Sequence, residues 1–75
     1  MQPQDEHLIA IVDAILRYLH SYPDATDTVE GITKWWLPET GCWDIPTVQA
    51  ALARLEAQGL IHRRVQADRH VLYSR

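Results

Sequence analysis

The segment TVQAALARLEAQGLIHRR, Thr47 to Arg64, constrains the fold most, because its residue pattern changes at a glycine. Before Gly59, apolar residues recur at helical spacing and form one stripe: Val48, Ala51, Leu52 and Leu55. Asp44 is a suitable N-cap for such a helix, and Pro46 is tolerated in its first turn. Gly59 readily takes the left-handed conformation that follows many helices. The segment therefore predicts a helix over residues 46–58.

Two segments after Gly59 have the composition of β-strands. They are LIHRRV, residues 60–65, and HVLYS, residues 70–74, joined by QADR. Two such segments around a short polar connection predict a β-hairpin. Apolar residues fall on both faces of each segment, so the pattern leaves the strand register open.

Two further helices precede this unit. Over residues 5–22 the apolar side chains fill one half of a helical wheel and the polar side chains fill the other. The apolar arc spans about 180°, wider than the ~100° stripe that one packing partner requires. Either two elements of the same domain cover this arc, or part of it is a homodimer seam. If it is a seam, Ile11→Asp or Leu16→Asp should give a folded monomer.

The second helix is predicted over residues 28–37. Asp27 and Glu30 lie near its start, where carboxylates are favoured. Its inward-facing residues are expected to be Val29, Ile32 and Trp36. The complete predicted core adds residues from the other elements: Leu8, Val12, Ile15, Leu19, Val48, Leu52, Leu55, Leu60 and Ile61.

Composition predicts one globular domain over residues 1–75, since apolar residues make up 47% and charged residues 23% of the chain. The longest apolar run, Leu8 to Val12, is far shorter than the ~18 residues of a membrane span. The N-terminal MQPQDEHL is acidic and does not have the basic flank of a secretory signal. Cys42 is the single cysteine and is expected to be a small filler. We expect a reduced, cytoplasmic setting.

Three helices followed by a C-terminal two-stranded β-hairpin define an α+β, mostly α, chain in the order of a winged helix. The stretch VQAALARLEAQGLIHRRVQADRHVLYSR resembles the second half of winged helix-turn-helix regulators. Its features are a helix with leucines three residues apart, then Gly-Leu-Ile, then arginine-rich strands. One departure is the connection over residues 38–45, which is longer than the ~3–4-residue turn of a tight helix-turn-helix.

The resemblance implies a non-catalytic transcriptional regulator or accessory factor that binds double-stranded DNA. Its third helix would enter the major groove, with Gln49 and Arg54 facing bases. Phosphate contacts would come from the wing and the start of the third helix: Thr47, Arg63, Arg64 and Arg69, with Arg75, His62 and His70 as further donors. The charge distribution would draw an anionic partner to the C-terminal end of the chain. Residues 1–53 have two basic and eight acidic residues, net −6, whereas residues 54–75 have five and two, net +3.

The alternative is a winged helix that docks a protein partner. Tryptophan is enriched at interface hot spots, and an alanine-lined helix lets another backbone approach closely. The contact would comprise Trp35, Trp43, Ala50, Ala53 and Ala57. No arrangement of residues predicts a catalytic site, a metal site or a cofactor. His62 and His70 flank the wing turn without cysteine or carboxylate companions at ligand spacing.

Overall fold

The computed structural model of the chain describes residues 3–38 and 43–75, and the side chains within these ranges from Glu6 onward. Over these described residues the architecture is α+β and mostly helical, with three helices and a three-stranded antiparallel sheet. In chain order the elements are α1 (Pro3–Ser21), β1 (Thr26–Asp27), α2 (Val29–Gly31) continuing as a π-helical segment (Ile32–Trp36), α3 (Ile45–Ala57), β2 (His62–Val65) and β3 (Val71–Ser74).

Local sequence signals set both ends of α3. Asp44 is its N-cap, with a side-chain oxygen that accepts from the backbone N–H of Thr47. At the other end Gly59 has φ +73 and its N–H donates to the carbonyl of Glu56. The N–H of Leu60 donates to the carbonyl of Leu55 at 3.0 Å. These two reversed hydrogen bonds form a Schellman motif, which satisfies carbonyls at the helix end.

The second helix differs from the regular helix predicted over residues 28–37. Thr28 caps it, because its hydroxyl oxygen accepts from the N–H of Gly31 at 3.2 Å. After Gly31 the backbone is π-helical to Trp36, and Leu37 is extended. In this wider geometry, with i→i+5 hydrogen bonds, the adjacent Trp36 and Leu37 are both buried.

The predicted C-terminal hairpin is confirmed, since β2 and β3 pair antiparallel. The expectation of only two strands is wrong, because β1 joins the sheet as a third strand. β3 lies in the middle, with β1 on one side and β2 on the other. In β1, Thr26 pairs with Ser74 and Asp27 with Tyr73. A strand of two residues has no measurable alternation of polar and apolar residues, so the pattern gave no sign of β1.

The core lies between α1, the second helix and α3. Its buried residues are Ile11, Ile15, Leu19, Ile32, Trp36, Leu37, Val48, Ala51, Leu52, Leu55 and Ile61. Most of the predicted core is confirmed, and Leu8, Val12 and Val29 pack against it while partly buried.

Leu60 was expected in the core and is 45% exposed. The Schellman motif turns the chain there, so that Ile61 points inward and Leu60 outward. Ile11 was named as a possible seam position and is fully buried. The variant Ile11→Asp would therefore place a charge in the core, and it does not test for a dimer seam.

Candidate nucleic-acid interface

The exposed face of α3 has alanines along its middle. Its exposed residues are Gln49, Ala50, Ala53, Arg54, Glu56 and Ala57, as the apolar stripe requires. At about 100° per residue, Gln49 and Arg54 point about 140° apart. Gln49 lies on the same flank as Glu56, and Arg54 lies on the opposite flank. The two predicted base-facing residues therefore do not share one direction.

A carboxylate occupies the N-terminus of α3. The Thr47 hydroxyl donates to the Asp44 carboxylate, with Oγ1 at 2.9 Å and 2.8 Å from its two oxygens. This side-chain hydrogen bond from Thr47 is the main reason that the pKa of Asp44 is lowered. A negative charge thus stands where a helix N-terminus would otherwise attract a phosphate. The hydroxyl of Thr47, a predicted phosphate contact, is engaged within the cap.

The strand register places Arg63 and Arg64 on opposite faces of the sheet. Arg63 pairs with Tyr73, and Arg64 pairs with Leu72. Directly paired residues in an antiparallel sheet share a face, and neighbours along a strand alternate. Because Tyr73 packs against the core, Arg63 lies on the helix side and Arg64 on the outer side.

Arg63 connects the sheet to the exposed face of α3. Its Nε lies 4.0 Å from Oε1 of Glu56, and both side chains are about half exposed. The start of β2 therefore lies beside the flank of α3 that holds Gln49 and Glu56. The contact also offsets part of the Arg63 charge. The sequence does not predict this pair, since no spacing rule connects a helix residue to a strand residue across a turn.

The turn between β2 and β3 presents Arg69 in an exposed position with φ +71. The Asp68 carboxylate accepts from the backbone N–H of His70 at 3.1 Å and contacts Nδ1 of His70 at 2.8 Å. The hydrogen bond between these side chains raises the pKa of His70 and lowers that of Asp68. The tip of the hairpin is thus fixed by its own side chains.

The three tryptophans have different environments. Trp36 is in the core and stacks on Tyr18, with ring centroids 4.8 Å apart and planes at 11°. Trp43 is half-buried, and its Nε1 donates to the Pro38 carbonyl at 2.8 Å. Trp35 is 65% exposed, with the Lys34 ammonium 5.0 Å from its ring centroid. Of the two tryptophans named for a possible protein contact, Trp35 is therefore exposed and Trp43 is partly buried.

A groove of about 500 Å³, which was not among the features predicted from the sequence, runs beside α1. Its aromatic wall consists of Tyr18, Tyr22, Trp36 and Trp43. The rings of Tyr18 and Tyr22 lie 4.8 Å apart. Their i, i+4 spacing was the available signal, because such pairs meet on a helix surface.

Comparisons with protein-family models, with curated proteins and with solved structures found no match to this chain. Within residues 3–38 and 43–75, no group of three or more His, Cys, Asp and Glu side chains is placed to hold a metal ion. In the same part of the chain, no helix has both the length and the hydropathy of a membrane span. Cys42 and the central part of the connection over residues 38–45 lie outside the described residues.

Proposed function

We propose that the chain is a winged-helix protein that binds duplex DNA, mainly through the phosphate backbone. The element order supports this proposal: a helix, a short strand, two helices, and then two paired strands, the second of which also pairs with the short strand. In this arrangement the exposed face of α3 would approach the DNA, and the β2–β3 hairpin would be the wing. The observation that carries the proposal is the Arg63–Glu56 contact, which places β2 beside that face.

Base readout by this surface would be limited. Alanines fill the middle of the α3 face, and their methyl groups offer contacts to thymine but no hydrogen bonds. The two candidate base-contacting residues, Gln49 and Arg54, point about 140° apart. Any one orientation of α3 in a groove therefore favours base contact by one of them over the other. We therefore propose weak sequence preference, with affinity that depends on phosphate contacts.

The number of phosphate contacts sets the salt dependence. The candidate cations are Arg54, Arg63, Arg64 and Arg69. If each neutralises one phosphate, the slope of log K against log salt is no steeper than about −3.6. The acidic side chains near the same surface, Asp44 and Glu56, oppose binding, so the affinity should be low at physiological salt.

Glu56 provides a sharp test, because removing its charge should strengthen the proposed activity. In Glu56→Gln, Arg63 loses its acidic neighbour and becomes free for a phosphate. We expect duplex affinity to rise about threefold to tenfold at low salt, corresponding to roughly 0.7–1.4 kcal/mol. Fluorescence anisotropy with a labelled random-sequence duplex measures this change.

Asp13→Asn is the matched control for that variant. Asp13 also forms an ion pair with an arginine, since Nε of Arg17 lies 3.0 Å from its Oδ2. It lies on α1, whose buried side packs against the buried stripe of α3, so it is remote from the proposed contact surface. An equal gain in both variants would show that net charge alone governs binding. No gain for Glu56→Gln would argue against contact through this surface.

A protein-docking module is the second candidate, and the exposure of Trp35 favours it. Together with the alanine face of Ala50, Ala53 and Ala57, it offers apolar area outside the core. Amide shifts during titration with random duplex at low salt separate the two functions. Shifts confined to α3 and the hairpin, fading as salt rises, support DNA binding. Amide shifts that do not change on adding duplex, even at low salt, would favour the protein-docking function.

A further inference from the structure

Beyond the proposed DNA contact, α1 has an apolar surface that the other described residues leave partly exposed. Ile9 and Leu16 are 57% and 36% exposed. Their seven-residue spacing places them on the same side of the helix. Leu60 adjoins Leu16 at a hollow of about 170 Å³, which is also lined by Leu19, His20 and Arg75. We call Ile9, Leu16 and Leu60 the α1 patch.

We infer that two copies of the chain associate through α1 as an antiparallel two-fold pair, with Ile9 of each copy packed against Leu16 of the other. A two-fold interface uses the same surface twice, so each contact must occur in both directions. Centring the pair between Val12 and Asp13 meets this condition. It sets an exposed apolar side chain of each copy against one from its partner.

Charge complementarity supports a second copy as the occupant. Glu6 is exposed in the first turn of α1, and His20 is exposed in the last turn, with Arg75 beside it. The antiparallel pairing places Glu6 of one copy opposite the His20 end of the other. The ends of the two helix dipoles then also lie next to their opposites. A parallel pairing would instead set Glu6 against Glu6.

The carboxylate of Asp13 would lie close to the two-fold axis, where like charges repel. Asp13 of each copy would approach its counterpart in the other copy. Its charge is offset within its own chain by Arg17, whose Nε lies 3.0 Å from Oδ2 of Asp13. The pairing therefore does not bring two uncompensated charges together.

The dimensions of α1 indicate a weak, reversible dimer. The helix has 19 residues, and at about 1.5 Å per residue it is about 28 Å long. Contact along one such helix lies at the low end of interface sizes, where association is transient. We therefore expect dissociation in the micromolar range or above, so the test has to reach high concentration.

Sedimentation equilibrium measures the association directly. Between about 10 µM and about 1 mM, we expect the mass of the wild-type chain to rise from 8.6 kDa towards twice that value. Leu16→Asp and Ile9→Asp should stay monomeric while keeping the far-UV circular dichroism of the wild type. Val65→Asp is the matched control, because Val65 is similarly exposed but lies on β2. That variant should still associate.

A charge exchange tests the antiparallel direction. Glu6→Lys alone and His20→Glu alone should each weaken association roughly threefold to tenfold, since each pair occurs twice in the dimer. The double variant restores opposite charges and should recover most of the wild-type affinity. Failure of the double variant to recover would overturn the antiparallel arrangement.

Three other outcomes would overturn the proposal. A wild-type chain that stays at 8.6 kDa throughout leaves the α1 patch to an unlike protein or a lipid surface. Association that survives both α1 substitutions in folded protein would also contradict it. Loss of association in Val65→Asp alone would place the interface at the edge of β2.

Discussion

Replacing Gly31 by alanine should destabilise the protein, although alanine is the better helix former. Gly31 has φ −64 and ψ −40, which any residue adopts, so its backbone does not require glycine. A Cβ at this position would overlap the carboxylate of Asp27. That carboxylate accepts from the backbone N–H of Thr28 at 2.8 Å. The added methyl group would therefore force Asp27 out of its hydrogen bond.

The expected size follows from two opposing contributions. Losing a partly buried hydrogen bond to a charged acceptor costs about 1.5–3 kcal/mol. Alanine recovers about 0.5–1 kcal/mol over glycine in a helix. We expect a net loss of roughly 1–2 kcal/mol in the free energy of unfolding. At about 4–8 °C per kcal/mol for a domain of this size, Tm should fall by roughly 5–15 °C.

Thermal and urea unfolding, followed by circular dichroism in two backgrounds, test the reasoning. With Asp27→Ala already present, the overlap is gone and Gly31→Ala should become stabilising by about 0.5–1 kcal/mol. The steric overlap thus predicts that the effect of Gly31→Ala on the free energy of unfolding has opposite signs in the two backgrounds. If Gly31→Ala stabilises the wild-type chain, or changes stability equally in both backgrounds, the steric reasoning is refuted.

Three further predictions concern burial and titration. Ile11→Ala should cost about 2–5 kcal/mol in urea unfolding, whereas Leu60→Ala should cost less than about 1 kcal/mol; similar losses would contradict the core assignment. Trp35→Ala should change stability by no more than about 0.5 kcal/mol, since its ring lies outside the core. NMR titration should place the pKa of His70 above its ordinary value, and Asp68→Asn should return it. Because the folded-state pKa is the higher one, this contact stabilises the fold below the ordinary histidine pKa. Its contribution is lost as pH rises through the folded-state pKa.

For the residues of the candidate site, the sequence predicted which side chains are exposed, but not how they lie relative to one another. The sequence placed Gln49, Arg54 and the alanines on the exposed face of α3, because an apolar stripe on a helix also defines the face opposite to it. It treated Arg63 and Arg64 as equivalent, and the sheet register separates them. It also gave no sign of the contact between Arg63 and Glu56. Register and helix–strand proximity depend on how distant segments pack, so the sequence pattern does not contain them.

The sequence by itself determined the elements whose signals are local. The Asp44 cap, the α3 stripe and the Gly59 stop each depend on residues within about one turn, so neighbouring residues suffice to specify them. The tertiary structure alone decided that Thr26 and Asp27 form a strand, that the second helix becomes π-helical, and that Ile11 rather than Leu16 is buried. Each of these depends on contact with a distant segment: β3 for the short strand, and the shared core for the helices. The two sides of the wide apolar arc of α1 look alike in the sequence until another element packs against one of them.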